Sequence, residues 1–209
     1  MVNHAYGFQP RQGQYWLYIL VATVAIFFIE IAFQNEIISL FAFTPALALL
    51  QPWTFVTAMF LHGGIMHLIF NMFALFMFGP LLEQRIGSQK FLALYFAAGI
   101  LGSLIHLVAT FALNADPMIP AIGASGAIYG ILGAVAVLEP NLIIYMMFIP
   151  MPMWLAAFVW VFIEFASLGN VNSPIANGAH IGGMFSGFAY AFYLKQQAAR
   201  FVDQYEYYE

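Results

Sequence analysis

Six apolar runs, at residues 16–33, 67–82, 91–113, 125–138, 153–168 and 177–194, dominate this sequence and restrict what it can fold into. In lipid a backbone must satisfy its own hydrogen bonds, so runs of this length and continuity read as helices rather than open strands. Crossing a bilayer takes about 20 apolar residues. The fourth run, 125–138, is short of that, reaching about 21 Å at 1.5 Å per residue, so it does not span alone. Only 7% of the residues are charged and 64% are hydrophobic, against about 25% charged in an ordinary soluble domain. The fold class expected is therefore all-α: a polytopic membrane bundle of six transmembrane helices.

The expected organisation is a single membrane domain at 16–194, between a cytoplasmic N-terminal segment at 1–15 and a cytoplasmic tail at 195–209, with no Pro/Ser-rich linker inside. The polar first residues lack a cleavage site after a short apolar core, which argues against a removable signal peptide. The acidic tail reads as a solvated end. Zero cysteines exclude disulfide and thiolate chemistry. Pro150 and Pro152 interrupt the stretch at 141–152, which is expected to form an interfacial connection. The long segment 34–66, with Pro45, Pro52 and Gly63-Gly64, is expected at the membrane surface.

Orientation rests on five cationic residues. In a six-helix reading Arg11, Arg85, Lys90, Lys195 and Arg200 all fall on one side, and the loops on the other side carry none. The positive-inside rule places both termini in the cytoplasm of a cell membrane. The second, fourth and sixth helices then run inward from the outer face, with His67, Ser125 and His180 near their outer starts.

A serine hydroxyl is a weak nucleophile unless a base lies within hydrogen-bond reach. His180 can supply one if the fourth and sixth helices touch, and Gly126-x-x-x-Gly130, Gly178-x-x-x-Gly182 and Gly183-x-x-x-Gly187 permit such an approach. Glycines at this spacing often do no more than pack helices. A histidine inside a membrane segment, however, is costly and points to function. His67 and Asn71, four residues apart, share one helical face and can both donate to an oxyanion; alternatively they satisfy the preceding loop. Glu30, Glu139 and Glu164 lie near predicted helix ends, where interfacial solvation is expected, so a two-residue Ser-His arrangement is the economical reading. No His-Glu-x-x-His occurs, which disfavours zinc proteolysis.

Taken together, Gly123-Ala124-Ser125-Gly126-Ala127-Ile128-Tyr129-Gly130, His67-x-x-x-Asn71, Asn177-Gly178-Ala179-His180-Ile181-Gly182-Gly183 and Glu83-Gln84-Arg85 resemble the rhomboid intramembrane serine proteases, over about 53–194 and in the six-helix prokaryotic form. The resemblance implies Ser125 as nucleophile and His180 as general base. It implies an oxyanion hole of His67, Asn71 and the Ser125 backbone N–H, supported by Tyr129, Gly123 and Gly126, with Tyr129 as the aromatic against which His180 rests. Glu83 and Arg85 match a structural motif, and His62 a structural loop histidine. The family often carries Trp-Arg where this chain has Trp53-Thr54, so any bonds made by that arginine would be missing here.

The expected site is a water-filled cavity roofed by 34–66 and 114–123. The expected partners are the lipid bilayer and substrates that are single-span or other transmembrane proteins, with no nucleic acid, no metal and no cofactor. Met153, Trp154, Ala157 and Phe158 are candidates for a lateral gate, although each also suits core packing. The rival readings are a catalytically inactive relative that binds transmembrane helices and a channel or transporter with a polar path. An inverted repeat is not evident for the latter.

Overall fold

The computed structural model describes residues 13–146, 148–170 and 176–206. The elements are α1 (Tyr15–Ala32), α2 (Gln34–Phe41), α3 (Thr54–Thr57), α4 (Ile65–Ile86), α5 (Ser88–Ala112), α6 (Ser125–Leu138), a hairpin of β1 (Ile143–Met146) and β2 (Ile149–Pro152), α7 (Met153–Leu168) and α8 (Asn177–Glu206). The long helices fall on the six apolar runs. By length and composition α1, α4 and α5 can cross a membrane, whereas α6 and α7 are shorter apolar helices. The protein is an all-α membrane bundle.

Helix ends go beyond the apolar runs because apolarity marks lipid contact, not helicity. α8 runs on past Leu194 through Lys195, Gln196, Gln197, Ala198, Ala199 and Arg200, all good helix formers. No break therefore marks the expected boundary at residue 194. Arg11 and most of the expected segment 1–15 lie outside the described residues. At 141–152 the expected interfacial connection is an antiparallel ribbon pairing Tyr145 with Pro150 and Ile143 with Pro152. A two-stranded ribbon has only edge strands, where a residue without an N–H is tolerated.

α6 is the hub. Every residue from Gly126 to Val137 except Tyr129 is buried, which is how a helix apolar on all sides satisfies itself. This explains its shortness: it meets protein, not lipid. α8 and α5 pack against it and against each other. A Cβ on Gly183 would collide with the backbone oxygen of Gly126, and one on Gly187 with that of Gly130. The predicted small-residue spacing thus brings the two backbones into direct contact. By contrast, α1, α4 and α7 turn Phe28, Ile31, Phe70, Phe73, Phe76, Phe158 and Phe162 outward, the lipid-facing pattern.

One end of the bundle is fastened by Glu83, whose two carboxylate oxygens accept the Tyr15 and Trp16 backbone N–H groups at 3.1 and 3.0 Å. Those are among the amides a helix N-terminus leaves unpaired. Nearby, Arg85 pairs with Glu139 at 2.8 Å. At the opposite end the two long loops are knit together. Phe43 and Ala121 exchange backbone hydrogen bonds of 3.1 and 2.8 Å, and Gly123 N–H donates to the Ala58 carbonyl at 2.9 Å. The loop carrying Trp53-Thr54 is held by Trp53 Nε1–H to the Leu40 carbonyl (2.8 Å), Thr57 Oγ1–H to the Phe41 carbonyl (2.8 Å) and Thr54 Oγ1–H to the Gln51 carbonyl (2.6 Å).

Candidate active site

Beneath those knitted loops, Ser125 is the first residue of α6 and His180 lies in the first turn of α8. Fifty-five positions apart in sequence, they meet with Ser125 Oγ 2.8 Å from His180 Nε2. The contact follows from the glycine packing: with no Cβ between the backbones, side chains at the heads of the two helices reach each other directly. The Tyr129 ring lies flat on the imidazole, centroids 4.3 Å apart and planes 6° apart. His180 is only 9% exposed.

On the other flank, Gly123 holds φ at +129°, in the region that favours glycine, and a Cβ built there would lie 2.9 Å from His67 Cε1 and Nε2 and 3.7 Å from Ser125 Oγ. This residue is what lets the imidazole of α4 approach the serine. Asn71 is buried, and its Nδ2 donates to the His67 carbonyl at 2.9 Å; the amide carries a second donor hydrogen. The backbone N–H of Ser125 stands at the start of a helix, where the first amides have no intrahelical partner. Gly126 is buried against Ala179 of α8. His62 is buried beside His67, with ring centroids 5.0 Å apart. Burial, and then the neighbouring His67, push its imidazole down to about 4, so it is neutral at pH 7. A cavity of about 30 Å³, large enough for a water molecule or two, opens behind Ser125 between Gly123, Ser103, His106 and Ala179.

Two sequence expectations fail here. Glu30 is not solvated at an interface: it is buried and accepts the His62 backbone N–H at 2.9 Å. Glu164 is likewise buried, at 6% exposure, inside the site. Its Oε1 lies 2.8 Å from His180 Nδ1 and accepts the Tyr129 hydroxyl at 2.6 Å, while Oε2 accepts Asn177 Nδ2–H at 2.6 Å. Position near a helix end suggested solvation, but α7 packs that end against α6 and α8. The signal that could have found it was an acidic residue within an apolar run, which is functional by default in membranes. Of the four gate candidates, Met153 and Ala157 are core, while Trp154 and Phe158 are exposed. Met153 stands eleven residues from Glu164, about 16 Å along the helix at 1.5 Å per residue, far from the serine.

A model of the Rhomboid domain matches residues 49–197, which is most of the chain and contains His67, Asn71, Gly123, Ser125, Tyr129, Glu164 and His180. The chain belongs to the rhomboid family. Among similar proteins, rhomboid protease GluP of Bacillus subtilis is 37% identical over 140 residues, which are 65% of this chain and 25% of GluP. The putative rhomboid protease YdcA of the same organism is 34% identical over 150 residues, 71% of this chain and 70% of YdcA. The mitochondrial RHOMBOID-like protein 6 of Arabidopsis thaliana is 36% identical over 149 residues, 70% of this chain and 45% of that protein. The rhomboid chain described here thus spans a quarter to under half of the length of some of its relatives and most of another.

Proposed function

We propose that this rhomboid protein is an intramembrane serine endopeptidase that hydrolyses peptide bonds in or near transmembrane helices of other membrane proteins, with Ser125 as nucleophile and His180 as general base. The observation that carries this reading is the 2.8 Å contact between Ser125 Oγ and His180 Nε2 inside a helical membrane bundle. In the proposed reaction His180 Nε2 takes the hydroxyl proton as Ser125 Oγ attacks the carbonyl carbon, then gives that proton to the leaving amine. The oxyanion is held by the Ser125 N–H, Asn71 Nδ2–H and an N–H of His67. Water then releases the acyl group, and the chemistry calls on no metal or cofactor.

Helical carbonyls are already hydrogen-bonded, so a substrate helix has to unwind at the cut, and small or helix-breaking residues are expected there. Lateral entry passes between α4 and α7. Both termini lie in the cytoplasm, the chain crosses six times, and the serine opens toward the outer face. The rival readings, an inactive helix-binding relative or a channel, leave the serine unreactive. A fluorophosphonate probe distinguishes them: the wild-type protein should form a covalent adduct at Ser125 and His180→Ala should not. Absence of the adduct from folded wild-type protein would remove the nucleophile and with it the enzymatic reading.

A further inference from the structure

The contacts around Glu164 assign this residue a part in the reaction. We propose that Glu164 is the positioning residue of the general base, making the site a Ser125-His180-Glu164 triad rather than a serine and histidine alone; this rests on the serine-protease reading above. The carboxylate reaches His180 Nδ1, on the side of the imidazole away from the serine, at 2.8 Å. Its other partners are the Tyr129 hydroxyl and the Asn177 amide, both at 2.6 Å. Each presents a hydrogen, so the pocket suits a group that only accepts, which a carboxylate does when ionised. The short distances are those of charge-assisted bonds. Three donors thus compensate a charge that burial would otherwise make costly.

The consequence for His180 is a choice of tautomer. With an acceptor fixed on Nδ1, the ring proton resides there, and the lone pair of Nε2 faces Ser125 Oγ. During acylation the serine proton moves to Nε2 as the Oγ–C bond forms. The ring becomes an imidazolium whose Nδ1–H points at the carboxylate, and the proton then leaves on the departing amine. Glu164 keeps its charge throughout and touches neither substrate nor serine. Tyr129 serves twice: its ring supports the imidazole face and its hydroxyl anchors the carboxylate that orients the imidazole edge. Three helices converge on this one side chain, Tyr129 from α6, Glu164 from α7 and both Asn177 and His180 from α8. The base is therefore aligned only when α7 is docked.

Glu164→Gln provides the test, because it keeps size and shape but can offer an N–H to Nδ1, which favours the wrong tautomer. In a soluble serine protease the equivalent change lowers kcat by about 10⁴-fold with geometry intact. A fall in kcat of roughly 10²- to 10⁴-fold is expected here, with KM for a transmembrane substrate within threefold of wild type. The rate of fluorophosphonate labelling at Ser125 should drop in parallel. The probe has no helix to bind, so a substrate-docking role for α7 would not produce that pattern, and an unchanged melting temperature would separate it from a purely structural one. Asn177→Ala, which leaves the carboxylate in place but frees Oε2, should slow labelling by about tenfold at unchanged KM, and it carries the test if Glu164→Gln does not fold. Folded Glu164→Gln that labels and cleaves within threefold of wild type would overturn the proposal, as would losses in both variants confined to KM or melting temperature. Since wild type and Ser125→Ala are measured alongside, an inactive wild type would instead reject the serine-protease reading itself.

Discussion

The Tyr129 ring stacks on the His180 imidazole at 4.3 Å while its hydroxyl donates to Glu164 at 2.6 Å. The two roles can be separated by substitution. Tyr129→Phe keeps the stack and loses the hydroxyl, and should lower kcat by about tenfold, the equivalent of about 1.4 kcal/mol. Tyr129→Ala loses both and should fall by about 25- to 130-fold in all, since aromatic pairing adds about 0.5–1.5 kcal/mol beyond area burial. Steady-state cleavage by the two variants checks this, and equal losses would contradict separable roles.

Gly123 is where the loop backbone passes against His67. Alanine there must adopt a φ of +129° and place its Cβ 2.9 Å from the His67 ring. Gly123→Ala should therefore displace His67 and reduce kcat on the order of 10²-fold, the usual cost of one misplaced oxyanion donor. Wild-type kcat in this variant would show that His67 does not contribute.

The α6/α8 seam should be far less tolerant than the loops. Gly183→Ala drives a Cβ onto the Gly126 carbonyl oxygen, where no flexible side chain can yield, whereas Gly169→Ala meets nothing within 4 Å. Thermal unfolding in detergent should show a large loss of stability for the first and almost none for the second. Similar melting temperatures would contradict direct backbone contact between the helices.

These predictions draw unequally on the sequence. The meeting of the serine-bearing and histidine-bearing helices is legible because small-residue spacing packs membrane helices closely, while the roles expected of Ser125 and His180 come from the resemblance of their motifs. The short run at 125–138 was recognisable as too short to span, and the fold shows why: α6 is buried on all sides. For Glu164 and Glu30 an acidic residue within an apolar run signals that a partner exists, but nothing local encodes which groups pack over that helix end. Glu164 meets Tyr129, thirty-five positions earlier, and His180, sixteen later, a convergence set by tertiary packing. The hairpin at 143–152 was hidden because its prolines advertise only an end to helix.

The proposed orientation rests on the cationic residues and is open to a direct check in this cysteine-free chain. Single cysteines at Asn114 should react with an impermeant thiol reagent in intact cells, and those at Gln89 and Gln196 only after permeabilisation. The reverse pattern would invert the protein and bring its serine toward the cytoplasm.

The proposed function requires that Ser125 cuts transmembrane helices. Purified wild-type and Ser125→Ala protein, each reconstituted in liposomes with a panel of single-span substrates, should differ completely: the wild type releases fragments whose new termini map by mass spectrometry within or beside the span, and the variant releases none. Cleavage by Ser125→Ala at the wild-type rate would contradict a serine mechanism at this residue, as would a folded wild type that cuts no member of the panel.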